Sequence, residues 1–134
     1  MEQAQSVRGK AYWAGWGISG LVIAFLLMDA GMKLLALPIV IETSASLGWH
    51  GDAASARELG VVLLICTLLY AAPQTAMLGA ILLTGYLGGA VATHVRVDNP
   101  LFSHVLFGVY IGVLLWGGLY LRDARIRALL PLRR

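Results

Sequence analysis

Four long apolar runs alternate with short polar segments along the chain. The runs cover about residues 12–37, 53–72, 75–95 and 101–121. A helix of about 20 apolar residues spans the hydrocarbon core of a bilayer, which is roughly 30 Å thick. Runs of this length with so few charged positions predict an all-α integral membrane protein in which each run is a spanning helix.

Most of the connections between the runs are too short for anything but a turn. Pro73 and Gln74 separate the second run from the third, and residues 96–100 separate the third from the fourth. Such connections predict a four-helix bundle with antiparallel neighbours, formed by the whole chain as one domain. The longest connection, 39–51, predicts a short helix on the membrane surface, and Asp52 is placed to cap the second spanning helix.

Composition supports a membrane location over a soluble fold. Apolar residues make up 59% of the 134 residues and charged residues 13%, about half the charged share of a typical soluble domain. The net charge of +3 forms no patch for nucleic acid, because the basic residues stand mainly near the two ends of the chain. We therefore expect membrane lipid, and no nucleic acid, as a partner.

The same basic residues predict the orientation in the membrane. Arg8 and Lys10 precede the first run, and five arginines follow the last one. On the opposite side the chain carries only Arg57 and Arg96. Because Lys and Arg are enriched in cytoplasmic segments, we expect a multi-pass protein of the inner cell membrane with both termini in the cytoplasm.

Glycines on the last two runs are candidates for helix packing. Lipid chains are as apolar as leucine, so membrane helices associate through close contacts of small residues. Both runs contain the Gly-x-x-x-Gly spacing that brings two glycines to one helix face. The candidates are Gly85, Gly88, Gly89, Gly108 and Gly112, and they face either other helices of the bundle or a second copy of the chain.

A few ionisable side chains fall inside or beside the apolar runs. A charge at the centre of a membrane helix costs about 2.5–3.5 kcal/mol on insertion scales, so such groups need partners or a function. Asp29 and Lys33 are four residues apart on one helix face, in the favourable acid-then-base order. By helical rise, one layer near the outer surface holds Lys33, Glu58, His94 and His104, with Asp29 one turn deeper.

This polar layer has three interpretations. It is a buried ionic network that fixes helix register, or a pocket that offers a cation, acids and imidazoles to a small molecule such as a quinone. The third is a metal site with His94, His104 and Glu58 as ligands, but the spacing of the two histidines matches no known metal signature, so we predict no metal. On a helical wheel His94 points about 180° from Gly85. If the glycines face inward, His94 faces away unless the helix end unwinds. If the glycines instead face a second subunit, His94 faces into the bundle.

Five stretches carry a resemblance to a known family: residues 31–34, 58–60, 75–97, 100–104 and 117–123. The third is the most specific, with the sequence Thr-Ala-Met-Leu-Gly-Ala-Ile-Leu-Leu-Thr-Gly-Tyr-Leu-Gly-Gly-Ala-Val-Ala-Thr-His-Val-Arg-Val. Together they resemble the DoxX-like family of small four-helix membrane proteins. The family often has Ser-Gly-x-x-Lys in the first helix, where this chain has Asp29-Ala-Gly-Met-Lys33, which leaves the role of Asp29 open.

The resemblance implies a four-helix inner-membrane fold and, for some members, a membrane partner of quinone-linked or redox complexes. It transfers no catalytic residues, so whether the protein is an enzyme stays open, as does its cofactor, for which a quinone is the candidate. We expect a membrane subunit or small-molecule-binding protein in which Lys33 holds a ligand oxygen and a histidine exchanges protons near neutral pH. The alternative is a non-catalytic scaffold whose glycine faces recruit a second copy or a redox partner protein.

Overall fold

The computed structural model describes residues 9–129, and every regular element within them is a helix. The elements are α1 (Lys10–Leu34), α2 (Pro38–Ser46), α3 (Ala53–Ala71), α4 (Ala76–Arg96), a π-helical turn (Leu101–Val105), α5 (Phe107–Arg122) and α6 (Ala124–Leu129). Four stretches are long and apolar enough to cross a membrane, namely α1, α3, α4 and the π turn together with α5. Of the basic end residues, Arg8, Arg133 and Arg134 lie outside the described part.

The spanning helices begin and end within three residues of the predicted runs. The largest difference is at the end of α1, which stops short of residue 37. There the N–H of Ala36 donates to the carbonyl of Lys33, at 3.0 Å. The N–H of Leu37 donates to the carbonyl of Met32, at 3.3 Å. This pair of hydrogen bonds is a Schellman motif, which ends a helix with a left-handed residue, and Ala36 takes that role with φ of 49°.

The long connection contains the predicted short helix, since α2 begins at Pro38 and none of its nine residues is buried. Proline suits the first turn of a helix because its missing N–H would have no partner there. Asp52 caps α3 as expected, its carboxylate accepting a hydrogen bond from the N–H of Ser55 at 2.8 Å. That hydrogen bond holds the pKa of Asp52 below its ordinary value, so the cap is charged at neutral pH.

The four spanning stretches form a closed ring of contacts. α1 and α4 each pack against both α3 and α5. The buried core lies between them and takes large side chains from all four, among them Leu26, Leu63, Leu83 and Leu115.

The glycines at which helices approach most closely are mostly not the ones predicted from the Gly-x-x-x-Gly spacing. An added Cβ would come within 3.0 Å of an atom on a neighbouring helix at Gly15, Gly60, Gly79, Gly108 and Gly118. Only Gly108 belongs to the predicted packing set. At Gly85, Gly88, Gly89 and Gly112 a Cβ would meet no atom within 4 Å, so these four glycines do not bring helices of one chain together.

A buried polar network joins three helices at the end where α3 and α5 finish. The Tyr70 side chain is fully buried, and its hydroxyl donates to the carbonyl of Leu115 at 2.5 Å and lies 2.9 Å from the Ser19 hydroxyl. The guanidinium carbon of Arg122 lies 4.1 Å from the ring centre of Trp16. Its Nη2 donates to the carbonyl of Tyr70 at 3.1 Å. The network fixes α1, α3 and α5 relative to one another.

Candidate functional site

A cavity of about 520 Å³ lies near the opposite end of the bundle, where α1 and α4 finish. Residues of α1, α2, α4 and α5 supply most of its wall, whereas α3 contributes only Leu59. Much of the wall is apolar, including Phe25, Leu26 and Ile111. Its volume falls in the range of about 300–1,000 Å³ that is typical of small-molecule sites.

Lys33 and Asp29 form an ion pair in the cavity wall. Lys33 Nζ lies 2.7 Å from each carboxylate oxygen of Asp29, and the two side chains are 17% and 32% exposed, respectively. The same nitrogen lies 5.9 Å from the ring centre of Tyr86, within cation–π range. A lysine has three N–H donors, and the two oxygens of Asp29 occupy two of them. The Tyr86 hydroxyl also interacts with this ammonium, so a ligand oxygen at Lys33 would lie beside Tyr86 and share the third donor with it.

His94 and His104 also line the cavity and lie against each other. Their ring centres are 5.7 Å apart, with an angle of 66° between the planes. The Asn99 side-chain amide lies 2.7 Å from Nδ1 of His94, and the Ser103 hydroxyl lies 2.7 Å from Nδ1 of His104. These local contacts orient both rings and leave Nε2 of each for other partners.

The cavity-facing stripe of α4 is broad enough to include both Gly85 and His94. At about 100° per residue, Tyr86, Ala90 and Thr93 form the middle of the stripe, and Gly85 and His94 stand at its two edges. Although they lie on opposite sides of the helical wheel, both residues therefore line the cavity without unwinding of the helix end. Tyr86 and Thr93 were not among the predicted site residues, although their spacing of seven residues places them on one helix face.

Glu58 is not part of the cavity. Its side chain is exposed, and α3 presents the next residue, Leu59, to the cavity instead. The rise per residue predicted the correct depth for Glu58 along the bundle. Adjacent side chains on a helix point about 100° apart, however, so Leu59 faces the cavity and Glu58 does not. Of the five predicted ligand-binding residues, the structure brings four together: Asp29, Lys33, His94 and His104.

The segment after α1 forms a part of the wall that the sequence did not indicate. Thr43, Ser44, Leu47 and Trp49 line the cavity. Arg96, at the end of α4, donates from Nη2 to the carbonyl of Leu47 at 2.9 Å. This hydrogen bond holds the end of α2 across the polar part of the cavity. The sequence of this segment mixes polar and apolar residues and gives no local indication that it contacts the end of α4.

The arrangement suits an organic ligand. Within residues 9–129 no three His, Cys, Asp or Glu side chains converge on a position for a metal ion. The apolar wall would contact a ring or a chain, and Lys33 and the two histidines would bind its polar atoms. An apolar pocket with a few convergent polar groups is the common form of a small-molecule site.

Comparisons with other proteins place the chain in a family. Residues 17–118 match the model of the DoxX-like family, and this segment contains Asp29, Lys33, His94 and His104. No curated protein and no solved structure matches the chain. Since the matched segment covers well over half of the sequence and the four spanning helices lie largely within it, this membrane protein belongs to the DoxX-like family.

Proposed function

We propose that this protein binds a small molecule with an anionic or carbonyl oxygen and serves redox metabolism, either as a subunit beside a redox partner or as a separate binding protein. The observation that supports the proposal is the Lys33–Asp29 ion pair in the wall of a largely apolar cavity of about 520 Å³. Charged groups within membrane helices are costly and are usually kept for a function.

Lys33 is the group that recognises the ligand in this proposal. Asp29 holds the ammonium in place, and the ammonium donates to the ligand oxygen beside the Tyr86 hydroxyl. A quinone head group meets these requirements, because it is a flat ring with carbonyl oxygens that accept hydrogen bonds. The His94–His104 pair lies in the same cavity. When electrons from the redox partner reduce the head group to a quinol, this pair would pass to its oxygens the protons that the reduction requires.

Removing the ion pair tests the proposal. Asp29→Asn combined with Lys33→Met removes the cation and its counter-ion together, so neither charge is left unpaired. We expect the affinity for a chain-free benzoquinone to fall by about tenfold or more, because hydrogen bonds from charged groups contribute about 1.5–3 kcal/mol. Quenching of the fluorescence of Trp49, which lines the cavity, measures the affinity in mild detergent, and Trp49→Phe identifies its share of the signal.

Two matched controls change the same side-chain types outside the cavity. Glu58→Gln neutralises an exposed carboxylate, and Lys10→Met removes the exposed lysine at the start of α1. Both are expected to bind the probe like the unaltered protein. Binding that is unchanged in the double variant, or lost equally in the controls, would contradict the proposal.

Antiparallel packing is also part of the proposal, and contacts between helix ends support it. Gly15, near the start of α1, lies against Gly118 near the end of α5. Gly60, near the start of α3, lies against Leu34 at the end of α1. His94, near the end of α4, lies against His104, which precedes α5. In an antiparallel four-helix bundle both termini lie at one end.

We further propose that this end faces the cytoplasm, in the inner membrane of the cell. It carries Lys10, Arg122 and the basic residues of α6, whereas Arg57 and Arg96 stand at the other end. A green fluorescent protein fused after α6 is expected to fluoresce, and alkaline phosphatase fused there is expected to be inactive. Phosphatase inserted at residues 97–100 is expected to be active. The reverse pattern would contradict this orientation.

A further inference from the structure

Building on the proposed function, we infer that the ligand is an amphiphile with one flexible apolar chain, and that it enters the cavity from the bilayer past Gly85 and Gly89 of α4. The cavity follows α4 from His94 to Gly85. Nine residues of helix correspond to about 13 Å. Because Gly85 lies near the middle of α4, the cavity reaches far into the depth of a membrane.

The chemistry of the wall changes along this length. The polar groups, Lys33, His94 and His104, lie toward the ends of their helices that meet α2. The deeper wall is formed by Leu26 and Ile111. Water in that part would find few hydrogen-bonding partners, and an apolar space excludes it. A ligand that fills both parts has a polar head and an apolar chain.

The side of the cavity lacks side chains at membrane depth. Gly85 and Gly89 are exposed, and a Cβ at either would meet no atom within 4 Å. α3 does not cover them, because it contacts α4 closely at Gly79, near the other end, and gives the cavity only Leu59. On the same exposed side of α4, Ile81 is 52% exposed. The open edge therefore faces the region that lipid chains occupy.

The polar end of the cavity is accessible from water. α2 and the turn after it border this end, but His104 in its wall is exposed and Trp49 is 49% exposed. Arg96 holds this border in place through its 2.9 Å hydrogen bond to the carbonyl of Leu47. A head group without a chain can enter from this end, whereas an apolar chain dissolved in the bilayer reaches the deeper wall through the gap beside the two glycines.

The experiment uses the full chain in lipid vesicles and two probes, a benzoquinone with a ten-carbon chain and the same ring without the chain. Stopped-flow quenching of Trp49 fluorescence gives the association rate of each. Gly85→Leu and Gly89→Leu are expected to lower the association rate of the chain-bearing probe by about tenfold, which lies within the range of penalties for placing a large side chain in a packed space. The association rate of the chain-free probe is expected to stay within about twofold of that of the unaltered protein. Gly88→Leu is the matched control, because Gly88 is equally open but outside this cavity.

Each further outcome bears on the entry route alone. Equal slowing of both probes, or no slowing of the chain-bearing probe, would overturn the inference. So would faster entry of the chain-bearing probe in Arg96→Gln, since that result would place the route beneath α2. Circular dichroism checks that each variant is folded. If Gly85→Leu does not fold, Gly85→Ala replaces it, with a smaller expected effect on the association rate. Loss of chain-free binding in the Asp29→Asn, Lys33→Met variant reports on the proposed function and is independent of these rates.

Discussion

Gly118→Val is expected to separate α1 from α5 and destabilise the bundle, whereas Gly117→Val is expected to be tolerated. A Cβ at Gly118 would lie 2.5 Å from Ser19 Oγ, 3.0 Å from the backbone nitrogen of Ser19 and 3.1 Å from the carbonyl oxygen of Gly15. Two of these three atoms belong to the backbone, so α1 has to move as a whole. Overpacking typically costs about 1–3 kcal/mol. For Gly118→Val we expect a loss of stability near the upper end of this range, because close packing is what holds helices together in lipid.

The neighbouring glycine makes a closely matched control. A Cβ at Gly117 would meet no atom within 4 Å, and valine carries the same cost of a β-branched residue in a helix at both positions. The difference between the two variants therefore measures the contact at Gly118. Unfolding in mixed micelles of a mild and a denaturing detergent gives the free energy of unfolding of each. Equal losses at the two positions would show that α1 and α5 do not cross at this glycine.

Tyr70→Ala is expected to lower the free energy of unfolding by about 3–5 kcal/mol, the range for removal of a large aromatic side chain from a core. Tyr70 is the largest of the fully buried side chains in residues 9–129. Tyr70→Phe keeps the ring and removes only the hydrogen bonds to Ser19 and to the carbonyl of Leu115. Such bonds average about 0.6 kcal/mol between membrane helices, so phenylalanine is expected to cost less than half as much as alanine.

A double-mutant cycle separates packing from hydrogen bonding at this position. Ser19→Ala, Tyr70→Phe and the two changes together give the coupling energy of the hydroxyl pair. Tyr110→Ala is the control for truncating a tyrosine, because Tyr110 is 44% exposed and is expected to cost much less. A Tyr70→Phe variant as unstable as Tyr70→Ala would mean that hydrogen bonding, rather than the volume of the ring, dominates at Tyr70.

The parts of the site that were predictable from sequence are those set by local geometry. Asp29 and Lys33 pair because residues four apart share a helix face. His94 and His104 meet because only a short turn separates the two helices that carry them. Local rules fail for Glu58, since helical rise fixes the height of a residue and not the direction in which its helix faces. They also give no account of the position of α2, which packs against α3 and is followed by a carbonyl that accepts a hydrogen bond from the distant Arg96.

The sequence by itself determined the number of spanning helices, their limits, the cap at Asp52 and the short helix in the long connection, because length, hydropathy and capping act over a few residues. Only the tertiary structure decided which glycines contact a neighbour, so that Gly118 is packed and Gly112 is open. The reason is the solvent. In water a helix turns its apolar face inward, whereas in lipid the core face and the outer face are equally apolar. Hydropathy then leaves the rotation of each helix about its axis undetermined, and close packing between helices decides it.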